Sequence, residues 1–204
     1  MELRGLLDRT LLSMPAHSDE LRALDAAIGD GDLGITVSAG STAAREAMNA
    51  LDDTADVRAV LQTLAQAFST ANPSTFAALV GGGLLAAAKT VGGKTSLDRD
   101  DTAVILDAVA ARISERGKSK LGDKTVLDAL IPSIQTLRTH ADTAPETLDA
   151  MVVTARQHVA ATAALQSAKG RAAWVQERSI GQPDPGATAY LRFLEALRAG
   201  WAES

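Results

Sequence analysis

Apolar stretches, broken at intervals by glycine, proline and helix-capping residues, divide the chain into segments that read as helices. The breaks predict helices over about residues 1–14, 19–27, 35–51, 55–68, 75–90, 98–116, 125–140, 145–168 and 187–202. Ser18 is placed to cap the second, with Asp19 and Glu20 in its first turn, where the helix dipole favours acids. Asn72-Pro73 stops the fourth, Gly92-Gly93 the fifth, and Asp184-Pro185-Gly186 makes a rigid turn before the last. No alternation of apolar and polar residues bounded by hairpin signals occurs, so the chain reads as all-α. Many helices with short connections imply antiparallel neighbours, hence an up-and-down bundle or closed helical barrel.

Composition sharpens this picture. Hydrophobic residues make up 46% of the chain but aromatics only 3%, so the core must be built from Ala, Leu, Val and Ile, small enough for helices to approach closely. Residues 59–88 carry no charge, but Gln62, Gln66, Ser69, Thr70, Asn72, Pro73, Ser74 and Thr75 interrupt the run and Gly81-Gly82-Gly83 breaks it. A membrane span needs about 20 predominantly apolar residues, so this stretch reads as a buried centre and no membrane association is expected. At 204 residues the chain is sized for a single domain over 1–204. Its net charge of −5, with basic residues scattered, argues against nucleic-acid binding. It has no cysteine, which removes disulfides and thiolate metal sites, and it opens on Met1-Glu2-Leu3-Arg4 without an apolar signal core. A cytoplasmic location is the expectation.

The densest chemistry lies at Leu24-Asp25-Ala26-Ala27-Ile28-Gly29-Asp30-Gly31-Asp32-Leu33-Gly34-Ile35-Thr36. Asp25, Asp30 and Asp32 fall within eight residues and would repel one another unless a cation sat between them. Asp-Gly is also ordinary turn chemistry, but Asp25, one helical turn upstream, favours a metal. A calcium EF-hand is excluded: counted from Asp30, positions 5, 6 and 12 are Gly34, Ile35 and Ser41. Magnesium, with part of its shell left to water or phosphate, fits better. The helix that follows would point its first N–H groups into the loop, a seat for phosphate.

Three other connections are richer than a connector requires. Asn72-Pro73-Ser74-Thr75 puts two hydroxyls at a helix N-terminus, where Ser74 serves either as a cap or as a phosphate contact. Arg116-Gly117-Lys118-Ser119-Lys120-Leu121-Gly122-Asp123-Lys124-Thr125 is either a solvated basic turn or a ligand loop, with Asp123-Lys124-Thr125 readable as a cap on the next helix. The third, residues 169–187, carries Arg171 and Arg178, which on a helix would stand two turns apart on one face. Guanidinium groups suit bidentate phosphate recognition, though Arg178 could equally pair with an acid. Gln166, Ser167 and Ala168, before Arg171, are all neutral, so a phosphate between Arg171 and the aspartates is expected rather than direct pairing. In an up-and-down bundle the connections after helices two, four, six and eight share one end, so all four regions meet at one rim.

With these residues in hand, the chain resembles the nucleotide-binding L subunit of the dihydroxyacetone kinase family. The resemblance runs from Leu21 to the last helix and rests on L-D-x-x-I-G-D-G-D-x-G at 24–34, R-G-K-x-x-x-G-D-K-T at 116–125 and G-R-A-x-x-x-x-E-R-S-I-G-x-x-D-P-G-A at 170–187. It implies an eight-helix barrel holding ADP or ATP and two Mg²⁺ ions at one rim. Carried over by position, Asp25, Asp30 and Asp32 match the family's magnesium ligands, and Leu33, Gly34, Ile35 and Thr36 the phosphate-contacting start of the next helix. Ser74 and Thr75 look like the counterpart of a serine-containing phosphate loop. Gly117, Val126, Arg171, Asp184, Pro185 and Gly186 match residues lining the nucleotide.

Two positions depart from the family pattern. Leu33 stands where histidine is frequent, and Asn72-Pro73-Ser74-Thr75-Phe76 replaces Gly-Gly-x-Ser-Gly. Both point to a divergent branch acting on another short ketose or polyol.

The resemblance also implies half of an enzyme. The acceptor would sit on a separate DhaK-like K subunit, and no catalytic residue is assigned here, since His17, His140 and His158 lie outside every motif. The phosphoryl donor is ATP in one branch and a phosphotransferase-system protein acting on bound ADP in another; the sequence does not separate them, and a homodimer stays open. Rival readings are a non-catalytic Mg-nucleotide regulatory subunit and a phosphoryl-transfer domain for a different acceptor, such as a lipid carrier.

Overall fold

A computed structural model describes residues 3–140 and 143–202. Nine α-helices and no strand occur among them: α1 (Leu3–Ser13), α2 (Ser18–Ile28), α3 (Leu33–Asn49), α4 (Val57–Ala71), α5 (Thr75–Ala88), α6 (Arg99–Gly117), α7 (Leu127–Thr139), α8 (Ala144–Thr162) and α9 (Pro185–Ala202). A short 3₁₀ turn, Met14–His17, joins α1 to α2, and a longer 3₁₀ stretch, Arg171–Ser179, lies between α8 and α9. The expected all-α barrel is present. From α3 to α9 each helix packs on the next, and α1 closes the ring by packing on both α9 and α3. The ring therefore has eight members, with α2 a short extra helix against α3.

Neighbours run antiparallel. Leu79, in the second turn of α5, lies against Gly117 at the end of α6, and Gly83, one turn further along α5, faces Val109, two turns back in α6. The core has the predicted aliphatic character: Ala129, Leu148, Met151, Val152, Leu191 and Leu194 form one buried cluster between α7, α8 and α9. Leu11, Met48, Val60, Leu64 and Phe68 form another between α1, α3 and α4. Each large side chain buried in this way stabilises the fold by about 1.5–3 kcal/mol. Close approach is used where sequence composition allowed it: a methyl group on Gly40 would lie 2.7 Å from the Phe68 ring.

Boundaries differ from the sequence reading in instructive places. Helix α8 stops at Thr162 rather than near Ala168, because Thr162 turns its hydroxyl to the Asp184 N–H (2.8 Å) and the chain leaves the helix there. Ser18 is the first residue of α2, not its cap; His17 holds the cap position without a side-chain bond. Helix α3 starts two residues earlier than expected, at Leu33, and α7 two residues later, at Leu127. Met1 and Glu2, included in the first expected helix, lie outside the described residues. No helix of the described residues is long and apolar enough to cross a membrane.

Candidate functional site

The acidic loop is built by two helix ends meeting at close range. Gly34 packs so tightly on α2 that any side chain there would overlap the Ser18 carbonyl and crowd the Arg22 N–H. Gly31 adopts φ +76°, a left-handed conformation that glycine takes without penalty. The turn they permit brings one carboxylate oxygen each from Asp25, Asp30 and Asp32 within 4.8 Å of one another. Burial, together with the charge of Asp25, pushes the Asp32 carboxyl above its usual range. Asp25 also accepts the Leu33 N–H at 3.2 Å, which ties the last turn of α2 to the first turn of α3. Hard oxygens at this spacing, repelling one another, suit a divalent cation of the magnesium type.

The remaining predicted positions fall around this loop. Thr36, fully buried one turn into α3, receives a hydrogen bond from Asn72 Nδ2 (3.0 Å) and donates to Ser74 Oγ (3.3 Å). Ser74 also accepts the Ala77 N–H at 3.1 Å, so its capping role is realised, while Thr75 is exposed beside it. Leu33 is buried in an apolar cluster with Met14, Leu21 and Val37, which accounts for an aliphatic residue at this position. Ile35 is exposed. Across the rim, Asp184 caps α9 by accepting the Ala187 N–H at 2.7 Å, and Pro185 occupies the first helical position, where a missing N–H costs nothing. A methyl group on Gly186 would lie 3.5 Å from Phe76 and 3.6 Å from Val126, and one on Gly117 would lie 3.9 Å from Leu79. The first turns of α5 thus connect the two halves of the rim, and the four connections do converge.

Arg171 departs from expectation in two respects. It lies on a 3₁₀ stretch interrupted at Gln176 (φ 50°, ψ −123°), so Arg171 and Arg178 do not share an α-helical face. Its guanidinium pairs directly with Asp30, where no acidic partner was expected, and stands 3.9 Å from Asp32. The neutral residues before Arg171 were a poor guide because the pairing comes from across the rim, not from its own turn.

Sequence reasoning missed three buried polar residues that build the rim. Lys124 donates to the carbonyls of Leu165, Ser179 and Gln182, and Asp128 accepts the N–H groups of Gly122 (2.6 Å) and Thr125 (2.7 Å). Of the stretch read as a cap, Thr125 accepts the Leu127 N–H at 3.3 Å through its hydroxyl, while Asp128 ties the preceding turn back onto α7. Ser179 accepts the Ser167 N–H at 2.9 Å and donates to the Gln176 carbonyl. The G-D-K-T and E-R-S-I-G stretches held Lys124 and Ser179, and Asp128 lies in neither, but nothing in the spacing says which side chains turn inward. Burial pushes the Asp184 carboxyl up to about 7. It pulls the Lys124 ammonium below its usual value, with Asp184 opposing.

Comparison with known proteins agrees with this architecture. The DAK2 domain family matches residues 27–199. The chain is 36% identical over 183 residues to an L-erythrulose 1-kinase of Mycolicibacterium smegmatis, across 87% of this chain and 32% of that protein. It therefore spans about a third of that relative. It is 30% identical over 184 residues to DhaL, the ADP-binding subunit of the PEP-dependent dihydroxyacetone kinase of Escherichia coli, across 89% of this chain and 87% of that subunit. In fold it is similar to the dihydroxyacetone kinase of C. freundii solved in complex with AMP-PNP and Mg²⁺, with a TM-score of 0.75 at 19% identity, covering 97% of this chain and 33% of that one. The chain belongs to the DAK2 domain family and is DhaL-like.

Proposed function

We propose that this chain is the ADP- or ATP-binding subunit of a kinase for dihydroxyacetone or a related short ketose, active with a separate K-type subunit that holds the acceptor. The observation that carries this reading is the convergence of Asp25, Asp30 and Asp32 within 4.8 Å at the start of α3, with Arg171 facing them. The three carboxylates are the right donor set for two Mg²⁺ ions, whose chemistry when bound would be to neutralise charge on the transferring phosphoryl group. The protein's own contribution is binding and orientation. Leu33, Gly34, Ile35 and Thr36 offer the first turn of α3 to phosphate, with Ser74 and Thr75 beside them. Arg171 offers a planar fork for phosphate oxygens. Gly117, Val126, Asp184, Pro185 and Gly186 form the wall on which the nucleoside would rest.

Both an L-erythrulose kinase and a dihydroxyacetone kinase subunit being relatives supports a short ketose as the class of acceptor. No acid–base residue for the acceptor hydroxyl is assigned to this chain, which supports partner dependence. The test is calorimetric titration of ADP with and without Mg²⁺, followed by phosphoryl transfer from ATP to dihydroxyacetone or erythrulose with and without a K-type subunit. Mg²⁺-dependent ADP binding, with transfer only in the presence of the partner, is expected. Robust transfer by this chain alone would overturn the half-enzyme reading, and absence of nucleotide binding would overturn the whole.

A further inference from the structure

Between α8 and α9 the chain makes a long excursion, residues 163–184, without an α-helix. Its two arms are clasped at the base. Gly181 N–H donates to the Ala163 carbonyl (2.8 Å), Ser167 N–H to Ser179 Oγ (2.9 Å), and Ala168 N–H to the Asp123 carbonyl (3.1 Å). Beyond this neck the tip is largely exposed; it carries Arg171 against Asp30, and Trp174, whose surface is 82% exposed.

One side chain runs through the neck. Lys124 is 2% exposed and sits in the left-handed region at φ 60°, a conformation uncommon for a non-glycine residue. Its Nζ donates to the carbonyls of Leu165 (3.0 Å), Ser179 (2.5 Å) and Gln182 (2.7 Å). An ammonium has three N–H donors and a neutral amine two, so this threefold arrangement calls for the charged form. All three acceptors are backbone groups of the excursion, one on the outgoing arm and two on the returning arm. None belongs to an α-helix. The ammonium therefore bonds to no α-helix of the barrel, and all its partners lie in the excursion that carries the tip.

We infer that Lys124 is a positioning residue for the nucleotide site: by closing the neck of 163–184 it holds Arg171 over the acidic loop. The inference rests on the function proposed above for that loop. Without Lys124, three carbonyls lose their donor, and the neck can open to water while the barrel stays closed. Arg171 then loses the fixed orientation that makes its contribution to binding.

The experiment compares the parent with Lys124→Met, Arg171→Ala and the double variant, all carrying Trp201→Phe so that Trp174 is the single tryptophan. Amide hydrogen exchange and Trp174 fluorescence anisotropy are read without nucleotide, and ADP affinity at saturating Mg²⁺ by calorimetry. Lys124→Met should speed exchange across 163–184 while leaving α3 to α7 protected, and lower the anisotropy. It should weaken ADP by roughly 10- to 150-fold, the loss expected for Arg171→Ala, and the double variant should be no weaker than either single one. Additive losses, unchanged affinity, or exchange that rises equally throughout the barrel would overturn the inference. Should Lys124→Met not fold, Ser179→Ala loosens the same neck through Ser167 and must show the same pattern to a smaller degree; a rigid tip and full affinity there would overturn it too. If the parent itself fails to bind Mg-ADP, the functional reading falls, and exchange and anisotropy alone decide whether Lys124 pins the tip.

Discussion

The two ends of the barrel begin their helices differently. At the end away from the acidic loop, Asp56 accepts the Ala59 N–H at 2.7 Å at the start of α4. Asp98 accepts the Asp101 N–H at 2.8 Å, and Asp101 returns the contact to the Asp98 N–H, a reciprocal box at the start of α6. Glu146 accepts from both the Thr143 N–H (3.0 Å) and its hydroxyl (2.7 Å) at the start of α8. Each of these helix starts is satisfied locally. At the rim, Ser74 and Asp184 cap α5 and α9, but the cap residues of α3 and α7, Asp32 and Val126, make no such bond, and the first N–H of each helix goes instead to Asp25 (3.2 Å) and to the Thr125 hydroxyl (3.3 Å). Asp32 is a residue type well suited to capping, yet its carboxylate joins Asp25 and Asp30 instead. A helix start that forgoes available local stabilisation in favour of a crowded anionic cluster is what a ligand site requires, because those groups must face outward.

That difference can be broken most sharply at the acidic loop. Asp30→Ala or Asp32→Ala should abolish Mg²⁺-dependent ADP binding while the helical circular-dichroism signal persists, since both carboxylates are partly exposed and neither caps its helix. The parent should show a rise in melting temperature with Mg²⁺ and ADP through linked binding, and neither variant should. An unchanged thermal shift in either would remove the loop from the site.

Asp184 sharpens the comparison in another way, because it is a rim cap buried in protein, where Asp98 is a cap in solvent. Burial raises its carboxyl to about 7, well above the value of about 3.9 in an unfolded chain. The native state therefore holds a proton that the unfolded state releases, and the stability this lends is full below pH ~4 and lost as pH rises to about 7. The three-unit difference corresponds to roughly 4 kcal/mol at most. Asp184→Asn, which keeps an acceptor for the Ala187 N–H, should match the parent near pH 4.5 and exceed it in stability at pH 8. Urea melts without nucleotide at the two pH values check this; parallel curves at both would mean that Asp184 titrates normally.

The contrast between the ends also explains what the sequence made legible. Locally satisfied helix starts leave local signatures, and α6 was placed to within a residue from Asp98 at one end and Arg116 at the other. The acidic cluster was legible for the same reason: Asp25, Asp30 and Asp32 are close in sequence and flanked by glycines. The far half of the rim was not. Ala160–Ala168 is rich in good helix formers, and only the distant Asp184 N–H, reaching Thr162, shows why α8 ends where it does. Lys124 reads as one lysine among several in a basic turn, and its three acceptors lie 41 to 58 residues away. The Arg171–Asp30 pair likewise joins segments that no periodicity relates.

Arg171 is the next place to test the rim. A charge-assisted contact to phosphate is worth roughly 1.5–3 kcal/mol, so Arg171→Ala should weaken ADP at saturating Mg²⁺ by about 10- to 150-fold. Lysine should recover only part, having lost the planar fork. The ion pair with Asp30 is half-exposed, so the melting temperature without nucleotide should barely move. Equal affinities for the parent, alanine and lysine forms would make Arg171 a structural residue, and the pocket would have to be drawn without it.

The smallest effect belongs to the opposite end. Asp98→Ala removes the acceptor for the Asp101 N–H and breaks the reciprocal box, but Asp101 keeps its ion pair with Lys94, so the first turn of α6 is loosened rather than lost. Loss of an exposed cap typically costs about 1 kcal/mol, which for a chain of this size lowers the melting temperature by about 2–4 °C. Because every group that Asp98 satisfies lies in its own helix, ADP affinity should stay within error of the parent. The informative result is therefore the pair of measurements on one protein, a melt and an ADP titration. A melt that shifts while the titration does not keeps the two ends separate, the one serving stability and the other ligand. If affinity falls along with stability, α6 transmits strain from its capped start to Gly117 at the rim, and the division of labour between the ends does not hold.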